Sequence, residues 1–200
     1  LSGNEYCLGE AMDRMAGARL YHTALPEIAA EHVKELSERT GESTVFSVLR
    51  NNEVIVLAKQ ESRHSLVVNT SLYHSMSLYG TASGKVLVAH RSDPEILALA
   101  HARGLPTDEE WTGAQTEPDL LKQCAAVRKA GVCGIRLFDR QAYAFAAPVF
   151  GLDQSVIAAL GLVIPALRCN ERVRKSIRTE LQRIAKRIPE ALAWNLARAQ

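Results

Sequence analysis

Ala142-Tyr143-Ala144-Phe145-Ala146-Ala147-Pro148-Val149-Phe150, Gly151-Leu152-Asp153-Gln154, then Ser155-Val156-Ile157-Ala158-Ala159-Leu160-Gly161-Leu162-Val163-Ile164 decides the fold. Two apolar runs of strand length flank a short polar turn rich in turn formers, which is the pattern of a β-hairpin. Pro165 closes the second run, since it cannot donate to a sheet ladder. Working outward, Asn170 is placed to cap a long helix, with Val173, Ile177, Leu181, Ile184 and Ile188 recurring on one face. Upstream, Val132 to Arg136 reads as a short strand. A helix opened by Glu117-Pro118 precedes it, carries Leu120, Leu121, Cys124 and Val127, and stops at Gly131.

The first half has the same grammar. Leu8 to Leu20 is loosely helical, and the pattern sharpens from Pro26 through Ile28, Ala29, Val33 and Leu36 until Gly41 stops it. Ser43 to Leu49 and Val54 to Lys59 are expected strands. Arg50-Asn51-Asn52-Glu53 joins them, because Asn tolerates the positive φ that a tight hairpin needs. Ser65 to Thr70 reads as a third strand. Small residues from Ser77 to Gly84 then lead into a helix at Val86, with Thr81 or Ser83 as its cap, and a second helix is expected from a cap at Asp93. Hairpins interleaved with helices, without βαβ crossovers, point to an α+β fold: one antiparallel sheet with helices packed on it.

Composition is that of an ordinary globular chain: 200 residues, 47% hydrophobic and 23% charged, with net charge +2. So small a charge does not mark a nucleic-acid surface. The basic residues Arg172, Arg174, Lys175, Arg178, Arg183, Lys186 and Arg187 fall at helical spacing among apolar ones, as on a solvated helix face. Cys7, Cys124, Cys133 and Cys169 form no CxxC pair and read as reduced core residues. No secretory signal or membrane-length apolar run is present, so a cytoplasmic setting is expected. A chain starting at Leu1 is expected to be part of a longer product.

Gly80-Thr81-Ala82-Ser83-Gly84-Lys85 is the one stretch near a phosphate loop. It places three residues between its glycines, not four, and Val86 follows the lysine where Ser or Thr would hold magnesium. The nucleotide reading fails. Small residues entering a helix still leave backbone N–H groups open to an anion, although a tight packing point explains them equally well. His64, His74, His90 and His101 have no metal-ligand spacing, and no GxSxG or HExxH occurs. No catalytic or cofactor constellation follows from the residues.

Three ordered stretches go further. Tyr6-Cys7-Leu8-Gly9 resembles the Y-x-L-G that opens the linker helix of IclR-type bacterial transcription regulators. Leu78 to Leu87 resembles that family's L-H-A-T-A-x-G-K-A-L. Ala146-Ala147-Pro148-Val149-Phe150 with Val156-Ile157-Ala158-Ala159-Leu160 resembles its A-A-P-V-F hairpin and V-x-A-A-L strand. The resemblance covers nearly the whole chain. It implies a GAF-like domain, a curved antiparallel sheet of about six strands with helices on both faces. Residues 1–22 would be the end of a DNA-binding domain and its linker helix, 23–190 the effector-binding domain, and 191–200 a tail. It also implies a homodimer or homotetramer that meets operator DNA only through a preceding winged helix-turn-helix. No enzyme activity is implied.

In this family the effector lies between the concave sheet and the start of the helix at Ser83, with backbone amides at Ala82 and Ser83 meeting its carboxylate. The acidic residue, cysteine and two serines of pockets for small polar acids correspond to Gly134, Ala144, Gly161 and Val163 here, and the S-x-S-G-P stretch reads Gly161-Leu162-Val163-Ile164-Pro165. Losing those groups disfavours a small polar effector and favours a bulkier, apolar or aromatic carboxylate. Leu66, Val68 and Met76 are expected to line such a pocket. Arg136 shares the alternation of Gly134 and is either a carboxylate clamp or a solvent-facing strand-end residue. A degenerate pocket in an oligomerisation domain, or an enzyme on the same scaffold, are the other readings.

Overall fold

The computed structural model describes residues 10–68, 77–137 and 141–198, with side chains from 24 to 195 inside those ranges. Helix α1 (Glu10–Thr40) is followed by the hairpin β1 (Ser43–Arg50) and β2 (Glu53–Gln60). A 3-10 turn at Leu78–Gly80 leads into α2 (Ala82–Ala89), then α3 (Asp93–Arg103) and α4 (Glu117–Ala130). Strands β3 (Cys133–Leu137), β4 (Ala142–Phe150) and β5 (Val156–Pro165) complete the sheet, and α5 (Glu171–Ala185) and α6 (Ile188–Arg198) close the chain. The sheet order is β2-β1-β5-β4-β3, with every pairing antiparallel.

Five strands form the sheet among the described residues, one fewer than expected. The difference lies at Ser65 to Thr70: residues 65–68 are irregular, and 69–70 fall outside the described residues. Residues 65–68 have a strand-like local pattern but pair with no strand among the described residues. Elsewhere local chemistry prevails. Asn51 and Asn52 take φ of 51° and 63°, which turns β1 into β2. Gly41 and Gly131 end α1 and α4 at φ of 75° and 66°.

Three local expectations change. The two helical stretches before Gly41 are one helix, α1, running through Pro26. Helix α3 is capped by Ser92, not Asp93: the Glu95 carboxylate accepts from the Ser92 N–H at 2.9 Å and from its hydroxyl at 2.7 Å. The long final helix is two helices, broken at Lys186-Arg187, because Pro189 in the first turn of α6 is tolerated only where a helix begins. Ile188 still lies in the core, and Leu192 is also fully buried.

Alternation splits the sheet into two faces. Phe46, Val48, Phe145, Ala147, Val149, Ala158, Leu160, Leu162 and Ile164 pack against α1, α5 and α6 through Leu25, Ile28, Val33, Leu36, Ile177, Leu181 and Ile184. The opposite face carries Ala144, Ala146, Ala159 and Val163 and receives Ala82, Val86 and Leu87 of α2. The basic residues of the last third are not simply solvated. Arg183 and Arg187 both bond Glu35 of α1, at 2.8 and 2.9 Å, and Arg39 bonds Glu180 at 2.6 Å, so ion pairs tie α1 to α5. No helix among the described residues is long and apolar enough to cross a membrane.

Candidate functional site

The start of α2 lies against the small-residue face of the sheet. Thr81 adopts the extended backbone of a cap, and its Oγ1 accepts from the Gly84 N–H at 2.9 Å, while the Lys85 N–H reaches the Thr81 carbonyl. The Ala82 and Ser83 N–H groups are the remaining first-turn donors, which a helix cannot satisfy from within. Gly84 is demanded by space: a Cβ there would lie 1.8 Å from the Leu78 carbonyl oxygen. The small residues of this motif therefore let a turn and a helix start press together, and they also leave two donors at the helix start. The close packing expected of the stretch is present, and the two donors are what the anion reading requires.

The ladder decides which expected site residues meet. Ala144 pairs with Val163 and Ala146 with Gly161, so all four share the α2 face. The Ser83 hydroxyl stands 3.1 Å from where a Cβ on Gly161 would be, which puts Ser83 directly over β5. Ala82, Ser83, Ala144 and Val163 are buried, and Val68 packs against the same cluster. Leu66 does not join them: its side chain is exposed, and its carbonyl accepts from Arg168 at 3.1 Å. Met76 lies outside the described residues.

Gly134 and Arg136 face the other way. They pair with Phe145 and Tyr143, and a Cβ on Gly134 would lie 2.9 Å from the Phe145 ring. Arg136 is exposed, with its guanidinium 5.6 Å from the Tyr143 ring centre. The residue opposite Ala144 on the α2 face is Ile135, flanked on β3 by Cys133 and Leu137. The parity shared by Gly134 and Arg136 was legible; the face they occupy depended on hairpin register.

Lys85 was not among the expected site residues. It is 7% exposed, lies 5.1 Å from the Trp111 ring centre, and makes no ion pair among the described residues. Burial lowers its pKa, against smaller raising effects from Cys133 and Glu110. It borders a cleft of about 500 Å³ along the edge strand β3, lined also by Glu110, Trp111, Val127, Cys133, Arg136 and Arg178. The only sequence signal was a lysine inside an otherwise apolar helix.

Among the described residues the titratable groups do not assemble a catalytic centre. Burial pushes the Cys124 thiol up to about 12 and the Cys133 thiol to about 11, the reverse of what an attacking thiolate needs. His90 Nδ1 lies 2.9 Å from the Val86 carbonyl, and His101 pairs with Glu117 at 2.7 Å. No cluster of three or more His, Cys, Asp or Glu among the described residues could hold a metal.

Known proteins agree with this architecture. The "Uncharacterized HTH-type transcriptional regulator RhmR" of Escherichia coli is 26% identical over 195 residues, covering 94% of this chain and 73% of its own length. The crystal structure of the C-terminal domain of the Escherichia coli transcriptional regulator KdgR is 26% identical, with a TM-score of 0.68, over 83% of this chain and 96% of that one. An IclR homolog from Microbacterium hydrocarbonoxydans, complexed with 4-hydroxybenzoate, is 26% identical with a TM-score of 0.67, over 88% and 69% of the two chains. The chain spans 64% to 73% of the length of the first curated relatives it matches. The family described as bacterial transcriptional regulator IclR, C-terminal, matches residues 17–190. With its antiparallel sheet, its capped helix start and a match over most of its length, the chain belongs to the IclR family of transcription regulators, as a C-terminal domain of that family and not an enzyme.

Proposed function

We propose that this domain senses a small organic carboxylate with a bulky apolar or aromatic body, held between the α2 start and the β4–β5 face. The observation that carries the reading is the pairing of Ala144, Ala146, Gly161 and Val163 beneath Ser83: an apolar wall under first-turn N–H donors. A helix start favours a carboxylate, while a wall without hydrogen-bonding side chains leaves a small polar acid's other groups unpaired. The 4-hydroxybenzoate complex of the Microbacterium protein supports an aromatic acid as the first candidate. Residues 23–190 form this sensing unit and 1–22 the link toward a DNA-binding domain. Of the residues expected at the site, Ala82, Ser83, Val68, Ala144, Gly161 and Val163 form its wall.

Effector binding shifts the domain between two arrangements, and α1 passes the preference to DNA-binding heads in a cytoplasmic homodimer or homotetramer. Thermal unfolding with 4-hydroxybenzoate, branched acids, glyoxylate and pyruvate tests the ligand class. A ligand at a hundredfold its Kd adds about 2.7 kcal/mol of stability. The bulky acids should shift the midpoint, Ser83→Pro should weaken that shift, and Ser83→Ala, which keeps the N–H, should not. A shift confined to glyoxylate or pyruvate would overturn the reading.

A further inference from the structure

We infer that the cleft along β3 is a second anion site, distinct from the α2 start, in which Lys85 holds the carboxylate of an aromatic acid. The cleft shares none of Ala82, Ser83, Ala144, Gly161 and Val163. Three observations converge on it. Lys85 is a cation more than nine-tenths buried, in contact with Trp111, and no carboxylate among the described residues bonds to it. The side chain borders the cleft, where the Glu110 charge acts on it without a direct bond, so its ammonium keeps donors for a further acceptor. The cleft it borders measures about 500 Å³, room for a single-ring acid, with Trp111 and Val127 as apolar walls.

Polarity across the cleft selects the orientation. Arg136 and Arg178 stand on the β3 and α5 side, and Arg178 already donates to the Val132 carbonyl at 3.1 Å. Glu110 lies on the loop side, its carboxylate accepting from the Thr107 N–H at 2.8 Å. Burial works to raise its pKa, but hydrogen bonds from Ser77 and Thr107 and the nearby Lys85 charge outweigh it and the net shift is downward. A ligand placing its carboxylate at Lys85 and a phenolic O–H toward Glu110 satisfies both charges. Among the described residues β3 is an edge strand, and the outer side of its backbone borders the same space.

Trp111 reports on the site directly. The chain has only one other tryptophan, Trp194, which is 66% exposed and can be replaced by Phe without disturbing the core. In a Trp194→Phe background, emission from Trp111 is titrated with 4-hydroxybenzoate, benzoate and inorganic phosphate up to tens of millimolar. Saturable changes are expected with both aromatic acids, tighter for 4-hydroxybenzoate, and weak ones with phosphate. Lys85→Met should raise Kd about tenfold or more, the loss of one charge-assisted hydrogen bond. Arg136→Gln, at an exposed position safe for folding, should raise it about two- to threefold. Ser83→Pro should leave the Trp111 response intact, which keeps this test separate from that of the α2 site. Unchanged affinity in Lys85→Met, no Trp111 response to any of the three anions, or a response lost in Ser83→Pro but kept in Lys85→Met would each overturn the assignment.

Discussion

The two faces of one sheet are built to different rules. The face toward α1, α5 and α6 carries Phe46, Phe145, Leu160, Leu162 and Ile164, all nearly or fully buried. On β4 and β5 the face toward α2 carries Ala144, Ala146, Ala159, Gly161 and Val163, equally hidden from solvent. Burial alone therefore does not separate them; side-chain volume does. Large interlocking groups on one side supply most of the transfer free energy and fix the helices in place. Small groups on the other side let a helix start approach the strands closely, and they leave its backbone donors facing an apolar wall. On the proposed reading, stability and recognition occupy opposite sides of the same β4–β5 ladder.

The sharpest way to break this comparison is to make one chemical change on each face. Leu160→Ala, at a fully buried position on the large-residue face, should cost about 4 kcal/mol. Leu87→Ala, on α2 and facing the small-residue side, should cost about 2 to 3 kcal/mol because that side relaxes more easily. Urea unfolding measures both, and equal costs would end the distinction. Next in size, Ala147→Leu adds volume to the large-residue face and should cost about 2 kcal/mol by overpacking. Ala144→Leu adds the same volume to the other face; it should cost about half as much, while removing the thermal shift caused by an aromatic acid.

Smaller effects sharpen the electrostatic side. Lys85 has a folded pKa below its unfolded one, chiefly through burial, so between those two values the unfolded chain binds more protons. Stability should then rise as pH increases through that alkaline window. Lys85→Met should remove the rise and lift the neutral-pH melting temperature by about 2 to 4 °C, read by a pH series of thermal scans. The smallest effect belongs to the α1–α5 contact. Burial works to raise the Glu35 pKa, but hydrogen bonds and charge from Arg183 and Arg187 outweigh it and the net shift is downward. Its contribution is present above the ordinary carboxylate pKa and fades as pH falls through the lowered one. Glu35→Gln should cost about 0.5 kcal/mol at neutral pH, and the loss should shrink in acid or high salt.

Much of the molecule was legible before any tertiary contact was known. The Asn51-Asn52 turn, the Thr81 and Asn170 caps and the stops at Gly41 and Gly131 are all where residue chemistry puts them. Each is a bond or a φ preference within a few residues of chain, which neighbours in space do little to alter. The misplaced cap at Ser92 and the break before Pro189 were local too, and Glu95 and Pro189 were the overlooked signals. Of the candidate site, the α2 start and the Ala144–Val163 pair were accessible because a motif and strand alternation mark them.

What the sequence determined by itself is the set of elements and the alternation within each strand. Only the tertiary structure decided which face each alternating set presents. Gly134 and Arg136 share a parity, but the β3–β4 register sets them opposite Phe145 and Tyr143, away from Ala144. A slip of one residue across that hairpin would reverse every side chain on β3, and no periodicity within the strand records it. Lys85 is the same case in another form. A lysine in a helix reads as solvated until Trp111, from a loop more than twenty residues away, covers it, because burial belongs to the packing of distant segments and not to the residue.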